Sequence, residues 1–227
     1  MKRRIVSVDG DKGGTGKSMV ATACLDVALE AGKKVLLIEA DTSNPDVGLA
    51  YEKIVETRPI EIDYSNGFVA IASEIHSSTA EIVVISNPAR SDGWLEHGRL
   101  IADNLTQLGA SMTTLWVANR QRDSVKMLAS YRQVFHDIAI YFVMNCYWGP
   151  VSRFETWHTS ALRTEILKNG GEIAFPDIAD RVVDDMHDRR MAWNALQDMP
   201  FGHIIEAQRV RRIFNTVLSP IILGGAA

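Results

Sequence analysis

The stretch Lys12-Gly13-Gly14-Thr15-Gly16-Lys17-Ser18 constrains this chain more than any other. It follows an apolar run over residues 5–9 and precedes a helical pattern over residues 17–31 that stops at Gly32. Glycines allow consecutive backbone N–H groups to turn inward and approach a polyphosphate closely. A helix that starts just behind them adds its partial positive charge. Lys17 is placed to reach the outer phosphates, and the Ser18 hydroxyl to hold Mg²⁺. The competing reading of the pattern is a glycine-rich turn that binds nothing.

The rest of the chain repeats the strand-then-helix alternation. Residues 34–39 and 82–86 are apolar enough to be strands buried on both faces, and residues 113–118 and 139–145 follow the same rule. Short strands are expected at 68–71 and 172–175, while residues 50–65 are ambiguous. Helices are expected from 72 to about 80, and over 94–108, 122–135, 154–168, about 178–185 and about 202–217, with Asn169-Gly170-Gly171 as a stop. Apolar strands alternating with helices predict an α/β fold: a doubly wound, mostly parallel sheet with helices on both faces. Ligands in such sheets bind beyond the carboxyl ends of the strands. At 227 residues the chain reads as one domain spanning 1–227.

Composition narrows the setting. A formal charge of −4 gives no support to nucleic-acid binding from overall charge, although a local basic patch stays possible. Cys24 and Cys146 form no CxxC pair and fit a reducing compartment. No apolar run approaches the ~20 residues of a spanning helix, so a cytoplasmic location is expected. The six histidines lack ligand spacing with a Cys or an acid, so no transition-metal site is expected.

The loop resembles the deviant Walker A motif of the ParA/MinD group of P-loop ATPases, in which a second lysine precedes the glycine pair. Lys12 matches that signature lysine. The resemblance implies ATP and Mg²⁺ as cofactors and a face-to-face homodimer formed on ATP, with Lys12 reaching the phosphates held by the partner. Lys12, Lys17 and Asp41 are the catalytic candidates. Gly13, Gly14, Thr15, Gly16, Lys17, Ser18 and Met19 are the phosphate-loop candidates, and Ser18 and Asp41 those for the metal. Asp41, in Glu39-Ala40-Asp41, matches the switch carboxylate that orients the attacking water, although a simple turn or cap residue is the alternative. Asn145 matches the residue that reads the adenine edge, and Pro176-Asp177 the loop packed on the base. Asp11 stands where the family has glycine, Glu39 replaces the first acid of its D-x-D segment, and Ser86 stands where the Walker B strand ends in Asp. Hydrolysis is therefore expected to be slow.

Met144-Asn145-Cys146-Tyr147-Trp148-Gly149-Pro150 resembles, more narrowly, a segment of the TraL proteins of conjugative plasmid transfer regions. That likeness implies an accessory ATPase in DNA transfer with a conjugation or partition protein as partner. Tyr147 and Trp148 read as core aromatics, as a partner-contact patch, or as packing under the nucleotide. Arg189-Arg190 and the cluster Arg209, Arg211, Arg212 read mainly as a solvated helix face and secondarily as a DNA contact. The apolar stretch 204–223 reads as a core-packing last helix rather than a membrane-binding one. A metabolic ligase similar to dethiobiotin synthetase is the alternative enzyme class, and the Lys12–Lys17 pair argues against it.

Overall fold

A computed structural model describes residues 2–10, 12–62, 64–89 and 92–224. Asp11, the loop position that departs from the family pattern, lies outside the described residues. The strands are β1 (Arg3–Asp9), β2 (Val35–Glu39), β3 (Glu56–Pro59), β4 (Ile82–Ser86), β5 (Ala110–Ala118), β6 (Ala139–Asn145) and β7 (Gly170–Phe175). They form one parallel sheet in the order β3-β2-β4-β1-β5-β6-β7. Outward from β1 lie β4, β2 and β3 on one side, and β5, β6 and β7 on the other. The reversal at β1 opens a crevice beyond its carboxyl end, where the phosphate loop emerges.

Helices cover both faces. On one lie α1 (Lys17–Glu30), α2 (Asp46–Tyr51), α8 (Asp180–Asp188) and α9 (Phe201–Leu223), packed with Val6, Val8, Leu37 and Val84. On the other lie α3 (Ser65–Ser77), α4 (Asp92–Asp103), α5 (Arg122–Val134), α6 (Glu155–His158) and α7 (Ala161–Ile166), packed with Ile5, Leu36, Ile38 and Ile85. The doubly wound α/β architecture expected from the strand pattern is thus observed. Every residue of α1 from Val20 to Ala28 is buried, because the helix is sandwiched between the sheet and α9. It ends where Gly32 takes φ +67 and Lys33 N donates to Ala28 O at 3.0 Å.

Several elements differ from the sequence reading. Residues 68–71 are not a strand but lie within α3, where Phe68, Ile71 and Ile75 recur at helical spacing on one buried face. The strand in that region is β3, an edge strand within the ambiguous stretch. The helix expected over 154–168 is two short helices, broken where Ser160 accepts Leu162 N and starts α7. The break lets Trp157 stack on Phe142 with ring centroids 3.8 Å apart. Gly170 and Gly171, read as a helix stop, open β7. A Cβ on Gly170 would come within 1.9 Å of Ile140 O, so the close strand approach requires glycine. The last helix packs Ala207, Val210, Phe214 and Leu218 into the core and runs on to Leu223. Among the described residues no helix is long and apolar enough to cross a membrane.

Candidate functional site

The phosphate loop is held by its own polar groups and by the sheet. Gly10 packs against the end of β5, where an added Cβ would meet Val117 O at 2.5 Å. Lys12 O accepts from Thr15 Oγ1 at 3.2 Å and from Lys17 Nζ at 3.1 Å, so both side chains close the loop onto one carbonyl. Gly14 and Gly16 have φ +74 and +99, which disfavours any side chain there. Nothing lies within 4 Å of a Cβ added to Gly13 or Gly14, so the loop's outer side is open.

The open side faces a cleft of about 520 Å³. Gly13, Gly14, Gly16, Lys17, Ser18 and Met19 line its floor, and Asp41 and Asn44 overhang it. The far wall is Val183, Met186, His187 and Arg190 of α8 and the turn after it. His187 reaches across to Asp46 of α2 at 3.5 Å. This wall was invisible in the sequence, since it comes from a segment about 170 residues away with no motif. Asp41 forms an Asx-type turn, its Oδ1 accepting from Ser43 Oγ at 2.9 Å and Asn44 N at 3.1 Å. Asp41 thus shapes a turn, as its alternative reading had it, and also lines the cleft.

Asn145 stands behind the loop. Its Nδ2 donates to Thr15 O at 2.8 Å and its Oδ1 accepts from Tyr147 N at 3.1 Å. A Cβ on Gly16 would lie 2.3 Å from that Nδ2, so Gly16 and Asn145 need each other. The register pairs Asn145 with Phe175, which sets the Pro176-Asp177 turn beside it. Asp177 O accepts from Arg209 Nη2 at 2.7 Å. Asn145, Pro176 and Asp177 are thus brought together, but outside the lining of the cleft.

Lys12 turns away from the cleft. Its Nζ donates to Asp123 Oδ2 at 2.7 Å and Gln121 Oε1 at 3.2 Å, at the start of α5. The hydrogen bond from Lys12, and then its charge, hold the Asp123 carboxyl below its ordinary range. Nothing in the sequence singled out Asp123 or Gln121.

Two buried acids frame the strand ends. Asp9 accepts from Gly10 N at 2.8 Å and lies beside Asn87, whose Nδ2 donates to Ser7 Oγ at 2.8 Å. Burial pushes Asp9 up to about 7, against the opposing pull of the Gly10 N–H and the Lys17 charge. Glu39 is likewise pushed up to about 7 by burial, opposed by bonds from Gly48 N, the Ser86 hydroxyl and Asp41 N. The sequence had marked Ser86 as a missing acid. The fold sets Glu39 in register beside it on the neighbouring strand.

The remaining candidates resolve into structure. Arg211 pairs with Asp26 Oδ2 at 2.8 Å, and Arg209 with Glu206. Arg211 is half-buried, whereas Arg209 and Arg212 stay exposed on the face of the last helix. Tyr147 is 59 % exposed and Trp148 is half-buried, in a 3₁₀ turn at the end of β6, so the core-packing reading of this pair is wrong. The turn leaves β6 at the rim of the sheet, beyond the reach of either core.

The sheet order, the loop between β1 and α1, and the cleft above it define the fold of the ParA/MinD-type P-loop ATPases. The plasmid partition protein of Borrelia burgdorferi bound to AMPPNP superimposes with a TM-score of 0.56 at 16% identity, over 95% of this chain and 99% of that one. MinD of Pyrococcus horikoshii, complexed with Mg-ADP, gives 0.55 at 18% identity over 95% and 96%. Protein MobD of Acidithiobacillus ferrooxidans is 39% identical over 225 residues, 98% of this chain and 99% of that protein. The chain belongs to the MobD family. The relative matched over the full length is thus MobD rather than the TraL that the segment around Tyr147 resembles. No family model matches the chain.

Proposed function

We propose that this chain binds ATP with Mg²⁺ on residues 12–18, dimerises on it through Lys12, and acts as a slow ATPase switch in plasmid DNA transfer. The observation that carries the reading is the convergence of Lys17, Ser18 and Asp41 on one cleft above the open side of Gly13 and Gly14. The donor set fits the ligands. Open backbone N–H groups and an ammonium suit phosphates, and a hydroxyl with a carboxylate suits a hard divalent cation. Mg²⁺, when bound, supplies positive charge against the outer phosphate oxygens. Ser18 and Asp41 would hold it, and Asp41 would orient a water for attack. Met19 flanks the phosphates. Asn145, with one amide N–H and one lone pair still unused, would meet the base edge, and Pro176-Asp177 its face. Nucleotides in the two structural neighbours and a full-length MobD relative support this reading.

The partner would be a second copy in a cytoplasmic setting, with a mobilisation or partition protein reading the dimer. The internal pairing of Arg209 and Arg211 speaks against a DNA surface there. Because Ser86 brings no charge, a second reading is a binding module that dimerises with little hydrolysis, and phosphate release separates the two. The test of the switch is sedimentation with and without ATP, for wild type and Lys12→Ala. The expected result is an ATP-dependent dimer that the substitution abolishes. A wild type that stays monomeric with ATP would sink the proposal.

A further inference from the structure

Arg190 is the one non-glycine residue with a left-handed backbone among the described residues, at φ +51. The cause is local. Helix α8 ends in a turn where Arg190 N donates to His187 O at 3.1 Å and Met191 N to Met186 O at 2.8 Å. That two-bond helix stop ordinarily has glycine at its left-handed position, because a Cβ is disfavoured there. An arginine carries the strain without helping the turn. Its guanidinium makes no hydrogen bond or ion pair among the described residues. It lines the cleft, on the wall facing Gly13, Gly14, Lys17 and Ser18.

The turn is fixed relative to the phosphate loop. Trp193, three residues on, is fully buried. Its Nε1 donates to Thr22 Oγ1 on α1 at 3.1 Å, and its backbone N to the Tyr51 hydroxyl on α2 at 3.3 Å. Because α1 starts at the loop, loop and turn share one frame. Charge points the same way. Asp41 and Asp46 line the cleft as well, with Lys17 as the cation of the loop side. A polyphosphate entering there meets two carboxylates, and a guanidinium on the far wall offsets them. Its planar fork suits two phosphate oxygens at once. We propose that Arg190 is a second phosphate-binding cation of this cleft, closing on the polyphosphate from the side opposite the loop. The left-handed turn is the strain that holds it there. The inference rests on the reading of the cleft as a nucleotide site.

The test is calorimetric binding of ATP and of inorganic tripolyphosphate to the full chain, in Mg²⁺, for wild type, Arg190→Gly, Arg190→Asn and Arg189→Ala. Melting temperatures are recorded alongside. Glycine and asparagine both tolerate the left-handed turn, so the fold should hold in both Arg190 variants. Each should bind ATP and tripolyphosphate about tenfold more weakly, the scale of a hydrogen bond to a charged group. Arg189 carries the same charge next door but does not line the cleft, so Arg189→Ala should bind as wild type does. Wild-type affinity in the Arg190 variants overturns the inference. So does equal weakening in Arg189→Ala, which would mark a general field rather than a contact. Weakening toward ATP alone would put Arg190 on the nucleoside and likewise overturn it. Loss of DNA retention in the variants with ATP affinity intact would make the two arginines a DNA surface instead. In all these cases the nucleotide reading survives; wild type that binds neither ligand overturns both.

Discussion

Lys12 and Asp123 form an ion pair at 2.7 Å across 111 residues of sequence, with Gln121 completing the ammonium's partners. The pair turns the signature lysine toward the start of α5 and away from the cleft above its own loop. In the proposed dimer, Lys12 would have to leave Asp123 before it could serve a second subunit. Both side chains are well exposed, at 33% and 58%, so the pair adds little to stability. Asp123→Asn should therefore leave the melting temperature nearly unchanged. It should move ATP-dependent dimerisation, followed by sedimentation, to lower protein concentration by a few-fold. Weaker dimerisation in this variant would mean that Asp123 assists Lys12 rather than holding it back.

Asn145→Ala removes the donor to Thr15 O and the acceptor for Tyr147 N in one step. Leaving such groups unpaired costs roughly 1–3 kcal/mol, visible as a lower urea midpoint. Comparing inorganic triphosphate with ATP separates the roles of this residue. Loss of loop order should weaken both ligands alike, whereas loss of a base contact should weaken ATP alone. We expect both ligands to weaken, and ATP more.

Asp9 gives a pH dependence with a definite sign. Its folded pKa is raised from 3.8 to about 7, so the folded state favours the neutral acid. That contribution to stability is complete below the unfolded pKa and is lost as pH rises through the folded one. The stability of the wild type should fall between about pH 4 and pH 7 on account of this group. Asp9→Asn should flatten the profile and be more stable than wild type at pH 8, by on the order of 1–3 kcal/mol. Urea titrations at pH 5 and pH 8 check it; a variant less stable than wild type at pH 8 would contradict it.

Asp26 is 1% exposed on α1 and depends on Arg211 of α9. Burial raises the Asp26 carboxyl, and the arginine opposes that rise. Arg211→Met strands a buried charge and should cost about 3 kcal/mol, near the lower limit for breaking a buried pair. Adding Asp26→Asn should recover much of the loss. Recovery in the double variant, read from thermal melts, marks the arginine as a structural partner. If DNA retention falls with no change in melting, the surface reading of the cluster returns.

Local pattern was enough for much of this molecule. The strands β1, β2, β4 and β6 announced themselves because fully buried parallel strands are short apolar runs with turn residues behind them. Failures came where period and tertiary demand diverge. Phe68, Ile71 and Ile75 keep helical spacing, but a four-residue window shows only apolar content. Gly170 and Gly171 look like a helix stop until the approach of Ile140 O is known. The break at Ser160 follows from Trp157 having to reach Phe142, a constraint 15 residues away.

The candidate site divides in the same way. The loop from Lys12 to Ser18 was legible in the sequence because phosphate recognition is done by backbone, and backbone conformation is dictated locally by glycine. Asp41 was picked out by the resemblance of Glu39-Ala40-Asp41 to a family segment just beyond a strand. What the side chains in and around the loop touch was decided only in three dimensions: Lys12 on Asp123, Asn145 on Thr15 O, Glu39 on Gly48 N. Hydrogen bonds between strand ends depend on strand order and register, and the reversal at β1 is a property of the whole sheet. A sequence can specify a loop that cradles phosphate; which acid stands beside it depends on which strand the chain lays down next to it.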